Sequence, residues 1–408
     1  MNKEINVSDW IDDKKLSGYQ ISVIALCALV ALLDGFDMVV ISFVAPEIAR
    51  LWDVDVTSFA TVFAAGLFGL MLGALIFGPL ADRVGRKNVI IASTFIFGLF
   101  TILTALSANL TQLTLFRLLT GLGLGGALPN IIALTAEYSP RRLRSTMVSI
   151  MFIGVPAGSL IGGFITAGMI SSLGWKSPFY LGGILPILLG FILIFALPES
   201  IRFHVVKGVN HGKAIGILRR IDPSEKLDEK VKLILPEQNT EGFTVKHLFA
   251  GNRARNTLLL WVVFFMNLLV MYFLISWMPT VLGAAGFPIE RAIIASCMIQ
   301  GGGIMGGILA SRIGDRGNPR KILVRFYLLA AASVAAIGMA NNLALLMTII
   351  FVAGFSVIGS QFIINGLAAG IYPTSIRSTG VGWALGIGRI GSIIGPTVGG
   401  TILALGWN

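Results

Sequence analysis

Long uninterrupted apolar stretches alternate with short polar ones along the chain. A helix needs about 18–20 predominantly apolar residues to cross ~30 Å of hydrocarbon. Eleven spans meet or approach that length, at roughly 20–43, 57–79, 88–107, 111–136, 145–170, 177–197, 256–282, 291–311, 321–340, 342–369 and 377–404. The runs are continuous rather than short and alternating, which excludes a β-barrel. The pattern predicts an all-α polytopic membrane protein.

Shifting the chain against itself by 233 residues brings several motifs into register at once. Pro46 falls on Pro279, Gly69 and Gly73 on Gly302 and Gly306, and Gly121 and Gly126 on Gly354 and Gly359. Asp82-Arg83 falls on Asp315-Arg316, and Arg144-Ser145-Thr146 on Arg377-Ser378-Thr379. Glycine matches alone would be unremarkable in membrane helices. The polar matches lie in loops, so they indicate two parallel six-helix repeats. The expected division is a first half over 1–197, a linker over 198–255 and a second half over 256–408. The same register would start a twelfth span near residue 409, so the repeat is expected to lack its last helix within these 408 residues, leaving the C-terminus outside.

Charge then sets the orientation. Only 12% of residues are charged and 55% are hydrophobic, against about 25% charged in soluble domains. Alternate loops starting from the N-terminus carry 25 Lys and Arg, and the opposite loops carry three, Arg50, Lys176 and Arg291. The excess marks the cytoplasmic side, so the N-terminus and linker are expected there, in a bacterial inner membrane. The net charge of +11 is accounted for by this bias and does not call for nucleic acid. Cys27 and Cys297 lie within spans, and no disulfide framework is indicated. The linker reads as short amphipathic helices, and its His204, His211 and His247 match no ligand spacing. No cofactor, metal site or nucleophile–base pair stands out, which argues against an enzyme.

A charge at the bilayer centre costs at least ~2.5–3.5 kcal/mol on insertion scales. Asp34 and Asp37 lie three apart in span 1, on nearly one helix face. Two carboxylates so close in poor solvent oppose each other's ionisation, which suits a proton-coupled carrier; the plainer alternative is that each pairs with an arginine. Arg117 in span 4 cannot deprotonate and needs such a partner. Arg389 in span 11 either faces a cavity, where it suits a carboxylate substrate, or bridges the two halves. Asn267, Tyr272, Trp277, Gln300, Gln361 and Asn365 add uncharged polar groups in spans 7, 8 and 10, and Phe36, Tyr272 and Trp277 are candidates to stack on a ring. Glu137 is expected to pair with Arg141, Arg142 and Arg144 beside it.

The stretch Gly78-Pro-Leu-Ala-Asp82-Arg83-Val-Gly85-Arg86-Lys87 joins spans 2 and 3, and Asp315-Arg316-Gly317-Asn-Pro-Arg320-Lys321 repeats it. A glycine turn is expected there. Asp82 is expected to meet helix N-termini or the Arg144 region, with Arg377 the repeat partner of Arg144. Together these form a latch on the cytoplasmic face.

At these residues the chain resembles the major facilitator superfamily, over nearly its whole length. Asp34-Gly35-Phe36-Asp37, with Tyr372-Pro373-Thr374 to Gly382-Trp383 and Gly388-Arg389-Ile390-Gly391 to Gly395-Pro396, is similar to the aromatic acid:proton symporter family. The resemblance implies two six-helix bundles around a central cavity lined by helices 1, 4, 7 and 10, working by alternating access. It also marks Asp34, Asp37, Asp82, Arg83, Arg117, Glu137 and Asp315 as important for transport. The glycine-proline pattern of drug antiporters is absent from helix 5, where Gly158-Ser-Leu-Ile-Gly162-Gly163 lacks the proline, which favours symport. The expected activity is proton-driven import of a hydroxybenzoate- or benzoate-class acid by a monomer whose partners are substrate, protons and lipid. The alternatives are a muconate-like dicarboxylate symporter, an aromatic efflux carrier, or a non-transporting membrane sensor.

Overall fold

A computed structural model describes residues 4–208, 211–225, 227, 231–235, 248–250, 253–316, 318–340, 342–372 and 377–405. Among these, eleven helices are long and apolar enough to cross a membrane. They are α1 (Gly18–Trp52), α2 (Phe59–Val84), α3 (Arg86–Ala105), α4 (Leu110–Glu137), α5 (Arg144–Leu173, with a break at Ile153) and α6 (Ser177–Ala196). The second group is α7 (Ala254–Ala284), α8 (Ile289–Arg316), α9 (Pro319–Ala336), α10 (Leu343–Ile371) and α11 (Arg377–Ala404). Successive helices return through short loops, so the linker and the loops after α2, α4, α8 and α10 share one side of the molecule.

The helix starts are written locally. Ser17 and Gln20 form a reciprocal capping box at α1. Asn109 caps α4 by accepting from Gln112 N at 2.9 Å, and Asn342 caps α10 by accepting from Leu345 N at 2.8 Å. These two caps are 233 residues apart.

Packing obeys the same offset. A Cβ on Gly69 of α2 would lie 2.0 Å from Leu118 O of α4, and one on Gly302 of α8 would lie 1.9 Å from Phe351 O of α10. Gly158 of α5 meets Leu32 O of α1, and Gly391 of α11 meets Phe265 O of α7. Without a strong hydrophobic force between helices in lipid, such close backbone approach is what holds them together.

Two helix ends differ from the sequence expectation. α1 runs nine residues past position 43 to Trp52, through Pro46, because Val44, Ala45, Ile48 and Ala49 stay buried; it ends at Asp53 in the left-handed region. No turn forms at Gly78. α2 continues through Asp82 to Val84, and Gly85 alone makes the corner, at φ 98°.

The cores place the two halves. On the side opposite the linker, one cluster draws on both halves, including Ile48, Phe59 and Phe63 of the first and Trp277, Met278 and Ile293 of the second. On the linker side, one cluster takes its residues from positions 5–235 and another from 248–384, so these cores are separate. The molecule is closed at the end away from the linker.

Of the described linker residues, those up to 235 pack with the first half and Leu248 with the second. The amphipathic helix His211–Ile221 buries Ala214, Ile215, Ile217, Leu218 and Ile221. Strand β1 (Glu4–Asn6) pairs in parallel with β2 (Lys232–Ile234). Helix Val7–Asp13 follows β1, and Lys14 just beyond it bridges to Asp222 at 2.7 Å and Glu225 at 2.9 Å.

Candidate functional site

The three charges near the membrane centre of the first half are drawn into one cluster. Arg117 donates to Asp37 through two parallel bonds, Nη1 to Oδ1 at 3.0 Å and Nη2 to Oδ2 at 2.8 Å. Both side chains are almost wholly buried, at 4% and 0% exposure. Thr101 of α3 donates to the same Asp37 Oδ1 at 2.7 Å. The bidentate geometry is the strong form of a charged hydrogen bond, and it makes Asp37 the partner of Arg117.

Asp34 is equally buried, yet neither of its carboxylate oxygens has a hydrogen-bond partner among the described residues. Asp37 and Arg389 are the charges that act on it through space. Arg389 itself donates to Tyr272 Oη at 3.3 Å, and Tyr272 Oη contacts Met38 Sδ at 3.7 Å. Arg389 makes no inter-half ion pair among the described residues; a hydroxyl, not a carboxylate, occupies its Nη1.

A small cavity of about 40 Å³ lies beneath the closed end, between α1, α2, α4 and α7. Arg117 and Tyr272 line it, with Ser42, Phe63 and Ser276. Its walls are mostly apolar with one cation at the edge, which is the chemistry of a small organic anion site. Gln361 accepts from Asn267 at 2.9 Å and donates to Asn365 at 3.1 Å, forming a polar ladder between α7 and α10 away from this wall.

Two aromatics expected to stack on a ring do something else. Phe36 is seated between Gly162 and Gly182, where a Cβ on either glycine would strike its ring. Trp277 is 1% exposed, donates to Pro396 O at 2.8 Å and packs edge-on against Phe63 at 5.3 Å. It belongs to the closing core, because the indole N–H finds its acceptor there.

The latch also forms with different partners. Glu137 pairs with Arg86 at 2.5 Å and accepts from Ser200 Oγ at 2.5 Å, not with the arginines next to it in sequence. Those are used elsewhere: Arg144 donates to Ala136 O at 3.0 Å, and Arg142 to Lys14 O at 2.7 Å. Asp82 and Arg83 are exposed and make no ion pair among the described residues. They sit on the outer face of a continuing helix. Glu199 takes the role expected of Asp82, accepting from Lys87 N at the start of α3 at 3.0 Å. Glycine suits the corner beside it because Gly85 sits at φ 98°, a conformation L side chains rarely adopt. The side chains of Asp315, Arg316 and Arg377 lie outside the described residues, as do Pro373 and Thr374.

Thr101 and Glu199 were not singled out from sequence. Thr101 is one of several α3 hydroxyls, and nothing in its spacing separates it from Thr94 or Thr104. Glu199 did carry a signal, since Pro198-Glu199-Ser200 ends a span beside a positive helix start.

Two repeated helical bundles around a buried ion cluster and a small cavity define a membrane carrier of the secondary-transporter type. Residues 27–396 match the Major Facilitator Superfamily. The chain is 41% identical over 411 residues to a 4-hydroxybenzoate transporter of Pseudomonas aeruginosa, covering all of this chain and 91% of that one. It is 39% identical over 404 residues to a gallate transporter of Pseudomonas putida, covering 98% and 90%. Among solved structures, a bacterial homolog of the human lysosomal transporter Spinster, inward-facing and occupied, superposes with a TM-score of 0.75 at 19% identity, covering 96% of this chain and 83% of that one. The inward-open xylose transporter of Escherichia coli superposes at 0.70, covering 93% and 89%. The chain belongs to the major facilitator superfamily and, with its close relatives, to the aromatic acid family within it. It is a multi-pass membrane transporter and not an enzyme.

Proposed function

We propose that this carrier imports a small aromatic carboxylate of the hydroxybenzoate class together with protons, by alternating access. The reading rests chiefly on one observation: of two buried carboxylates three residues apart, Asp37 is neutralised by Arg117 and Asp34 has no hydrogen-bond partner among the described residues. A buried carboxylate without a partner is costly to ionise, so Asp34 is the group that takes up and releases the proton. The relatives that carry 4-hydroxybenzoate and gallate support the cargo class.

In this reading the anion enters the cavity at Arg117 while Asp34 is protonated. The carboxylate of the cargo competes with Asp37 for the guanidinium. Arg389 and Tyr272 supply a second cation and a hydroxyl from the opposite half. The linker and N-terminus lie in the cytoplasm of a bacterial cell, following the charge bias, and the conformation closed away from the linker is the inward-facing one. The halves, 1–197 and 256–408, then rock about the cavity while the linker up to 235 follows the first.

Proteoliposomes loaded at a higher internal pH test this with labelled 4-hydroxybenzoate. The expected result is gradient-dependent accumulation that Asp34→Asn abolishes while leaving exchange of bound anion intact. Full gradient-driven accumulation in Asp34→Asn would overturn the assignment.

A further inference from the structure

A second cavity, of about 330 Å³, lies on the linker side within the first half. It is distinct from the central one: its lining comes from helix Val7–Asp13, α3, α4, α5 and the linker, and shares no residue with the first. Three guanidinium groups line it, Arg86, Arg144 and Arg202, against one carboxylate, Glu137.

Those cations are unequally engaged. Arg86 is committed to Glu137 at 2.5 Å. Arg144 reaches a carboxylate only at 3.9 Å, at Asp12. Arg202 makes no ion pair among the described residues, although its charge acts on Glu137. The cavity therefore holds an excess of positive charge. Apart from Ser8 the rest of the wall is apolar, formed by Val7, Ile11, Ile201 and Leu235 with two alanines of α4. Surplus cations and apolar side chains in one wall select a ligand with an anionic head and a compact apolar body.

We infer that this cavity is a second binding site, on the linker side, for a small aromatic carboxylate, through which accumulated acid acts back on the carrier. The proposal draws on the transport reading only for its choice of probe. Its ligand bears on Arg86 and so competes with Glu137 for the bond that ties the start of α3 to the end of α4. Helix Val7–Asp13 roofs the site and is pinned by the β1–β2 pairing and the Lys14 bridges, so occupancy also reports on that roof.

Ser8 lines the cavity and offers a reporter that needs no transport. In a Cys27→Ser/Cys297→Ser background, Ser8→Cys in the full reconstituted chain is labelled with a maleimide. The expected result is that 4-hydroxybenzoate slows labelling several-fold, whereas its neutral counterpart 4-hydroxybenzyl alcohol does not. Protection should disappear in Arg144→Gln/Arg202→Gln and persist in Arg117→Lys, which separates this site from the central one. Equal protection by the alcohol, or protection lost in Arg117→Lys, would overturn the proposal. So would protection by inorganic phosphate or phosphatidylglycerol vesicles without any by the acid. Should the arginine variants fail to fold, the comparison of acid with alcohol still decides. Failure of gradient-driven uptake with protection intact would count against the transport reading alone. In uptake, Arg202→Gln should raise the final accumulated level with an unchanged initial rate.

Discussion

Removing either member of the Asp37–Arg117 pair should cost more than removing both. At an effective dielectric of about 20, unit charges 2.8 Å apart attract by about 6 kcal/mol. Burying each ion costs several kcal/mol, so the intact pair has a small net worth, while stripping one partner leaves an uncompensated buried charge at roughly 3–5 kcal/mol. Asp37→Asn leaves Arg117 in that position, and Arg117→Gln does the same to Asp37, softened by the Thr101 hydroxyl. The double variant Asp37→Asn/Arg117→Gln has no net charge to strand and should recover more than the cost of one single, about 3–5 kcal/mol or more, against the sum of the singles. The assay is thermal unfolding of the detergent-solubilised chain, run as a double-mutant cycle on the midpoint. Singles that lower the midpoint strongly, with a double no worse than the poorer single, fit the pair as described. Strictly additive effects would refute it and leave Asp37 available to carry the proton.

Four further outcomes follow from other contacts. Thr101→Val should shift the pH profile of uptake, because it removes a donor from Asp37, and Thr101→Ser should restore it; identical profiles for both would exclude a positioning role. Gly69→Val and Gly302→Val should each abolish folded protein in a size-exclusion assay, since their Cβ atoms would lie 2.0 and 1.9 Å from a neighbouring backbone oxygen, far inside van der Waals contact, while Gly78→Ala, with open space around it, should be neutral. Asn109→Ala and Asn342→Ala should each lower stability by about 1 kcal/mol through a lost helix cap, read from unfolding midpoints. Docking of the N-terminal segment should be pH-tolerant. Hydrogen bonding from Lys14, then from Ser224, holds the Asp222 carboxyl down at about 2, so its contribution is complete above the ordinary carboxylate range and fades as pH falls through about 2. Asp222 and Glu225 raise Lys14 above its ordinary value, so its contribution is lost only in strong alkali. Hydrogen exchange at residues 4–13, corrected for intrinsic rate, should stay protected across neutral pH, and release by mild acid would contradict this.

Much of the fold is legible in the chain because lipid imposes long apolar runs, and because the same offset governs loops, caps and glycine contacts. That Arg117 pairs with one of the two aspartates of α1 was legible, since a buried charge demands a partner and few exist. The reading left Asp34 and Asp37 equivalent, and only the position of α4 distinguishes them. Local proximity misled the assignment of Glu137: its sequence neighbours Arg141, Arg142 and Arg144 lie past the end of α4, while Arg86 arrives from another helix. The apolar pattern ends the span at 79 and leaves the glycine of the turn unassigned within 78–87, because a Gly-Pro dipeptide and charges mark a helix end in water, whereas Pro79, Asp82 and Arg83 are carried inside α2 and Gly85 makes the corner. Phe36 and Trp277 were read as ring-stacking groups on residue type alone, and the glycines and carbonyl that claim them lie on distant helices.

The glycine contacts of α2 with α4 and of α8 with α10 leave no side-chain layer between the paired backbones. Side chains are the compressible part of a helix interface, since rotamer changes let one helix slip over another. A seam without them behaves as a stiff beam. In the proposed alternating-access cycle, a small tilt imposed at the central cavity would be passed along the beam to both faces of the membrane, so opening on one side and closing on the other would become a single lever movement.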